Sequence, residues 1–121
     1  MQLASIRIIT RDVARLAAFY EGVTGATATW PAPVFAEIRT ARATLAIGDI
    51  TTMGMIAADL AHGRSSGVII EFEVDDVDAQ FGRLRLEPEA IVLAPTTMPW
   101  GNRSAVVRDP DGNLVNLFAR P

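Results

Sequence analysis

Two oppositely charged side chains of this sequence occupy matching positions in an internal repeat. All eleven cationic side chains are arginine, the sequence contains no cysteine, and its one histidine is His62. A lysine Schiff base, a cysteine nucleophile, thiolate metal ligands and a Ser-His-Asp set are therefore excluded, and we predict no catalytic residue. Arg7 and Glu71 stand 64 positions apart in two similar strand patterns. We expect them to form an ion pair, serving either the scaffold or a ligand.

The repeat also predicts the architecture that positions these charges. Residues 6–13 and 70–77 align at the same offset, and each copy leads from an alternating strand through aspartate into a helix-periodic stretch. Such a repeat is typical of a duplicated supersecondary unit. The fold class is α+β, with two βαβββ modules forming a curved mixed sheet and a helix on the outer face of each half. We expect one domain over 1–121, with module one at about 1–50, a linker at 51–66 and module two at about 67–121.

Strand parity predicts which side chains line the concave face of this sheet. Successive side chains of a strand point to opposite faces, so residues two apart share a face. The candidates from the first strand, from its counterpart in module two and from the last strand are Ser5, Arg7 and Ile9; Ile69, Glu71 and Glu73; and Leu114, Asn116 and Phe118.

Charge and hydropathy exclude several kinds of partner. The net charge is −3, and no basic run is present, which argues against nucleic acid. The sequence contains no apolar stretch of membrane-spanning length and no secretory signal pattern. We therefore expect a cytoplasmic protein with neither a nucleic-acid nor a membrane partner.

Two segments carry a family resemblance. Residues 100–103 (WGNR) and 109–117 (DPDGNLVNL) resemble the end of the vicinal oxygen chelate superfamily, and Asp12-Val13 with Phe19-Tyr20 and Gly25 resembles its beginning. This superfamily contains glyoxalase I, extradiol dioxygenases, fosfomycin-resistance enzymes and bleomycin-resistance proteins. The resemblance spans nearly the whole sequence and implies the same paired-module fold, which hosts many activities.

The resemblance also implies where a metal would bind. Metal-dependent members take His or Glu from the first strand of each module and Glu from the last strand. These places hold Ser5, Ile69 and Asn116 here, with Thr44 or Ala46 at the fourth. Divalent cations need several anionic or imidazole donors, so we expect no metal and no other cofactor. A displaced site involving Glu37, Glu71 or Glu73 is the alternative.

Without a metal, the cavity would hold its ligand by shape, stacking and charge. Candidate aromatic walls are Trp30, Phe35, Trp100 and Phe118, although a core role is favoured for Phe35. A carboxylate such as Glu73 would suit a cationic aromatic molecule. Arg103 could neutralise an anionic group or lie on the rim, and the sequence leaves both possibilities open.

These expectations favour a metal-free binding protein. It would sequester a small hydrophobic or aromatic molecule, as the bleomycin-resistance branch does in antibiotic resistance, and the resemblance implies a homodimer. The alternatives are a glyoxalase-like lyase or isomerase or a dioxygenase with a displaced divalent metal, and a regulatory or structural relic without a ligand.

Overall fold

The protein consists of two compact units, each built as a βαβββ module. In the computed structural model, residues 4–51 and 69–121 are described. The units are Met1–Arg64 and Ser65–Pro121, and their boundary falls inside the segment predicted as a linker. The rest of that linker, with His62, lies outside the described residues. No helix in the described ranges is long and apolar enough to cross a membrane.

Module 1 contains four strands and one helix. The elements are β1 Ser5–Thr10, α1 Val13–Thr24, β2 Thr29–Ala32, β3 Phe35–Arg39 and β4 Thr44–Asp49. The strand order is β1-β4-β3-β2, with β1 parallel to β4 and the other pairs antiparallel. The fourth strand therefore lies between the first and the third, and its residues separate side chains of β1 from those of β3.

Module 2 repeats this arrangement. Its elements are β5 Ile69–Glu73, α2 Val77–Arg83, β6 Ile91–Thr97, β7 Arg103–Arg108 and β8 Leu114–Ala119. The strand order is β5-β8-β7-β6, again with the first and last strands parallel. The predicted α+β class and the duplicated module are confirmed, with eight strands in two four-stranded mixed sheets.

Both helices begin and end at residues suited to those places. Asp12 accepts a hydrogen bond from the backbone N–H of Arg15 at the start of α1, and Asp76 accepts one from Ala79 at the start of α2. Gly25 ends α1 in the left-handed conformation, with φ 71°, which glycine adopts without steric cost.

The core of each module lies between its helix and its sheet. Helix α1 packs on β3 and β4, and α2 packs on β6, β7 and β8. The fully buried larger side chains are Leu16, Tyr20, Ile38 and Ile47 in module 1 and Val77, Val107, Val115 and Leu117 in module 2. Ile8 pairs with the buried Ile47, so Ile8, Val115 and Leu117 lie on the helix side of their sheets, opposite to Arg7 and Asn116.

Two strands depart from the sequence prediction. The sequence predicts a strand over 26–30 that ends before Pro31, but β2 begins at Thr29 and includes Pro31; β6 extends through Pro95 to Thr97 rather than ending near residue 94. Both strands are edges of their four-stranded sheets, and both pair irregularly with their neighbours. An edge strand tolerates proline because one row of its backbone groups needs no partner within the sheet.

Candidate functional site

Each sheet has a face opposite its helix, which we call the distal face. In module 1, the buried residues Ile8, Ala36, Ile38 and Ile47 lie on the helix side, so the alternate positions of β1, β3 and β4 form the distal face. In module 2, Val107, Val115 and Leu117 mark the helix side in the same way. Six of the nine predicted site residues lie on these two distal faces: Ser5 and Arg7 in module 1, and Glu71, Glu73, Asn116 and Phe118 in module 2.

Arg7 is the central cation of the distal face of module 1. It lies opposite Ala46 of β4, which in turn lies opposite Glu37 of β3. The Arg7 Cζ is 5.0 Å from the centroid of the Phe35 ring, so the guanidinium stacks on an aromatic face. Phe35 thus lies beside Arg7 on the distal face, although the sequence favours a core role for it. The ion pair expected between Arg7 and Glu71 joins residues of different modules and stays a prediction.

Glu71 and Asn116 form a polar pair on the distal face of module 2. They are register partners on the parallel strands β5 and β8. The Asn116 Nδ2 donates a hydrogen bond of 2.7 Å to Glu71 Oε2. Because a carboxylate only accepts, this contact orients the amide with its nitrogen toward Glu71. The pair is an acceptor-rich counterpart to the arginine of module 1.

The other end of the Asn116 amide is unsatisfied. Its Oδ1 is buried and has no hydrogen-bond partner in the described part of the chain. A buried acceptor without a donor costs about 1–3 kcal/mol of stability. As far as the described residues are concerned, the burial of this oxygen therefore opposes folding.

An arginine of the chain itself occupies the place predicted for a cationic ligand. The Arg120 Nε donates to Glu73 Oε1 at 2.9 Å, and its Cζ lies 6.0 Å from the Phe118 ring centroid. Glu73 and Phe118 are register partners, so the carboxylate and the ring meet the same guanidinium. The sequence analysis missed Arg120, although Asn116, Phe118 and Arg120 continue the alternation of β8 by one step.

Arg103 lies on the helix side of module 2. Its Nε and Nη2 donate to the two carboxylate oxygens of Asp78 in α2 at 2.9 and 2.7 Å, and its Nη1 donates to Thr97 Oγ1 at 3.3 Å. The hydrogen bond from Arg103 holds the pKa of Asp78 below its ordinary value. Arg103 therefore lies on the opposite face of the sheet from Asn116, and its contacts join β7 to α2. The two roles expected from the sequence, neutralising an anionic group or lying on the rim, stay predictions.

The two tryptophans do not lie on β1, β5 or β8, the strands that carry the predicted polar residues of the distal faces. Trp30 is in the edge strand β2 and is 45 % exposed. Trp100 is 66 % exposed, in the turn between β6 and β7 that the hydrogen bond from Gly101 N–H to Met98 C=O closes. Each therefore offers open aromatic surface in its own module, and their contact with a ligand stays a prediction.

The sheet register resolves the fourth family position. Arg7 pairs with Ala46 as its counterpart Glu71 pairs with Asn116, so Ala46, and not Thr44, corresponds to Asn116. The four positions are thus Ser5, Ala46, Ile69 and Asn116. Alanine and isoleucine offer no donor atom, and the amide nitrogen of Asn116 points to Glu71. This set does not fit a divalent cation.

A displaced metal site has no visible cluster to support it. Within residues 4–51 and 69–121, no group of three His, Asp or Glu side chains could hold a metal ion. Glu37 and Glu73, two of the three candidates, contact Arg39 at 3.4 Å and Arg120 at 2.9 Å. Their charges are therefore already compensated by arginine.

Comparison with known proteins gives a family and a fold. Residues 2–117 match the family model of the glyoxalase/bleomycin resistance protein/dioxygenase superfamily. No curated protein matches the chain.

Solved structures share this fold at low sequence identity. A glyoxalase/bleomycin resistance protein/dioxygenase family enzyme from Burkholderia phytofirmans PsJN is 21 % identical, with a TM-score of 0.87 and 98 % of each chain covered. A lactoylglutathione lyase from Agrobacterium tumefaciens is 22 % identical, with a TM-score of 0.75, and the match covers 98 % of this chain and 92 % of that one. A superfamily member from Sphaerobacter thermophilus is 24 % identical, with a TM-score of 0.73 and coverage of 99 % and 98 %.

Proposed function

Because the chain belongs to the glyoxalase/bleomycin resistance protein/dioxygenase superfamily, we propose that it is a member that binds a small hydrophobic or aromatic molecule without a divalent cation. The observation that carries this proposal is the donor set at the four family positions. Ala46 and Ile69 cannot coordinate an ion, and Asn116 is oriented by Glu71. A cation would have to replace its hydration shell with donors that these residues do not supply.

The remaining features of the two distal faces support binding rather than proton transfer or nucleophilic attack. Module 1 offers a guanidinium over an aromatic ring, and module 2 offers an amide–carboxylate pair. The exposed Trp30 and Trp100 each add apolar surface to their own module. Such groups hold a planar molecule by stacking and charge. The mode of action would be stoichiometric sequestration, which is how a resistance protein of this superfamily would protect against a toxic compound.

Metal content tests the first half of the proposal. Protein purified without chelator is expected to contain far less than one equivalent of zinc, nickel, manganese or iron by elemental analysis. The matched control is the double variant Ile69→His/Asn116→Glu, which restores the side chains that metal-dependent members carry at two positions of module 2. We expect the variant to take up added nickel in calorimetry and the parent protein to take up none. A parent protein with one tightly bound transition metal would instead identify the lyase or dioxygenase alternative.

Ligand binding tests the second half. A thermal-shift panel of neutral, anionic and cationic aromatic compounds is expected to contain members that raise the midpoint of unfolding, because a ligand that binds only the folded state stabilises it. Light scattering is expected to give twice the mass of one chain, as the proposed homodimer requires. A panel without any stabilising compound would contradict a binding function.

A further inference from the structure

The strongest unexplained group in the described part of module 1 is the Arg7 guanidinium. Arg7 is exposed on the distal face, and its Cζ stacks on the Phe35 ring at 5.0 Å. The two residues lie on β1 and β3, with β4 between them, so the side chain crosses a strand to reach the ring. Two strand spacings amount to about 10 Å, so both side chains must extend over β4 to meet.

Strand β4 leaves room for this crossing. The β4 residues that lie between β1 and β3 on this face are Ala46 and Gly48, opposite Arg7 and Phe35 respectively. Neither has a side chain larger than a methyl group. The guanidinium can therefore lie over the sheet, with its Cζ above the Phe35 ring.

No carboxylate in the described part of module 1 serves as the partner of Arg7. The four carboxylates in residues 4–51 have other partners: Asp12 accepts from the N–H of Arg15, Glu21 from the N–H of Ala28, Glu37 from Arg39, and Asp49 from Thr51. Glu37 is the nearest in register, one strand beyond Ala46, and it is the one engaged by another arginine. Among residues 4–51, Arg7 thus combines a contact with an aromatic ring and a charge that no carboxylate of that range pairs with.

From these contacts we propose that Arg7 is the binding site for the carboxylate of a small planar organic acid. This inference rests on the proposed binding function and names the chemical class of its ligand. The in-plane N–H pair of a guanidinium matches the two oxygens of a carboxylate, and stacking on Phe35 reduces the entropy lost on binding. Ser5 and Thr44, which pair with each other one row along the same face, offer hydroxyls to a second polar group of the ligand.

The charge balance favours a monoanion over a phosphate. A phosphate dianion would require a second free cation, and Arg39, on the same face of β3, is engaged with Glu37. A cationic ligand would be repelled by Arg7 itself. One planar carboxylate matches the Arg7 guanidinium in both charge and shape.

Benzoate and benzamide are the probes that test this site. They differ in charge but hardly in size, and their affinities can be compared by titration calorimetry or by chemical shifts. We expect wild-type protein to bind benzoate at least about tenfold more tightly than benzamide, because a charge-assisted contact contributes roughly 1.4 kcal/mol or more. Added salt should weaken benzoate binding and leave benzamide binding unchanged.

Three variants distinguish a direct effect of the Arg7 side chain on ligand affinity from a general effect on folding. Arg7→Met should lower benzoate affinity at least about tenfold and abolish the preference over benzamide. Arg7→Lys keeps the charge but not the planar fork, so it should recover only part of the affinity. Arg11→Met removes an exposed arginine just beyond the same strand and should leave both affinities unchanged. Far-UV circular dichroism of each variant must match that of the parent protein.

The results distinguish this inference from the proposed function. Equal affinity for benzoate and benzamide, or unchanged benzoate binding in Arg7→Met, would overturn the carboxylate site while leaving a binding function intact. Benzoate binding that occurs only after Glu71→Gln would show that Glu71 neutralises Arg7 in the parent protein, and it would also overturn the proposal. The absence of any stabilising compound in the wider aromatic panel would remove both.

Discussion

The unpaired oxygen of Asn116 makes the stability of one variant predictable. Replacing Asn116 with leucine removes a buried Oδ1 that has no donor among the described residues. It also removes the 2.7 Å hydrogen bond from Nδ2 to Glu71. The two effects have opposite signs, and their sizes follow from the surroundings of each atom.

Removal of the unpaired acceptor is the larger effect. Burying such an acceptor costs about 1–3 kcal/mol, and leucine, which is close to asparagine in size, eliminates that cost. The lost hydrogen bond contributes only about 1 kcal/mol, because Glu71 is exposed and water replaces the donor. The expected net gain is about 1 kcal/mol, which for a chain of this length raises the midpoint of thermal unfolding by about 3–5 °C.

Asn113→Leu is the matched control. Asn113 also donates from Nδ2 to a carboxylate at 2.7 Å, but its partner Asp109 is only 4 % exposed. Losing that donor removes one hydrogen bond from a buried carboxylate and should lower the midpoint by several degrees. Far-UV circular dichroism during heating measures both variants.

The two asparagines are therefore expected to differ in sign. If Asn116→Leu lowers the midpoint as much as Asn113→Leu does, then Oδ1 has a donor in solution and the reasoning from its burial is wrong. A midpoint that rises for Asn116→Leu and falls for Asn113→Leu would confirm that the buried Oδ1 of Asn116 lowers stability.

Two further predictions concern helix α1 and the ion pair on α2. Gly22→Ala should stabilise the protein by about 0.5–1 kcal/mol, because Gly22 lies within the helix and an added Cβ meets nothing within 4 Å. Gly25→Ala should destabilise it by about 1 kcal/mol, because Gly25 has φ +71°. Urea denaturation measures both, and a similar effect of the two substitutions would contradict the assigned helix end. For Asp78, the lowered folded-state pKa means that its contribution to stability is fully present above the unfolded value and is lost as pH falls through the folded one. The midpoint of the wild type should therefore drop more steeply than that of Asp78→Asn below about pH 4, and parallel curves would show that the contact with Arg103 is absent in solution.

The sequence determined the features that depend on local geometry. The pleat of a strand alternates side chains whatever its neighbours are, so the shared face of Leu114, Asn116 and Phe118 was predictable from spacing alone. Helix ends are equally local, because Asp12 and Gly25 act on amides and carbonyls within one turn of the chain. The duplicated module followed from the repeat for the same reason, since each copy repeats these local rules.

Only the tertiary structure decided which groups meet. The choice between Thr44 and Ala46 depended on the register of β1 against β4, which a short sequence pattern does not encode. Arg103 met Asp78 because α2 packs against β7, and Phe35 became the platform for Arg7 because the residues of β4 between them are small. Long arginine side chains reach several strands or a helix, so their partners are selected by packing among distant segments rather than by neighbours in sequence.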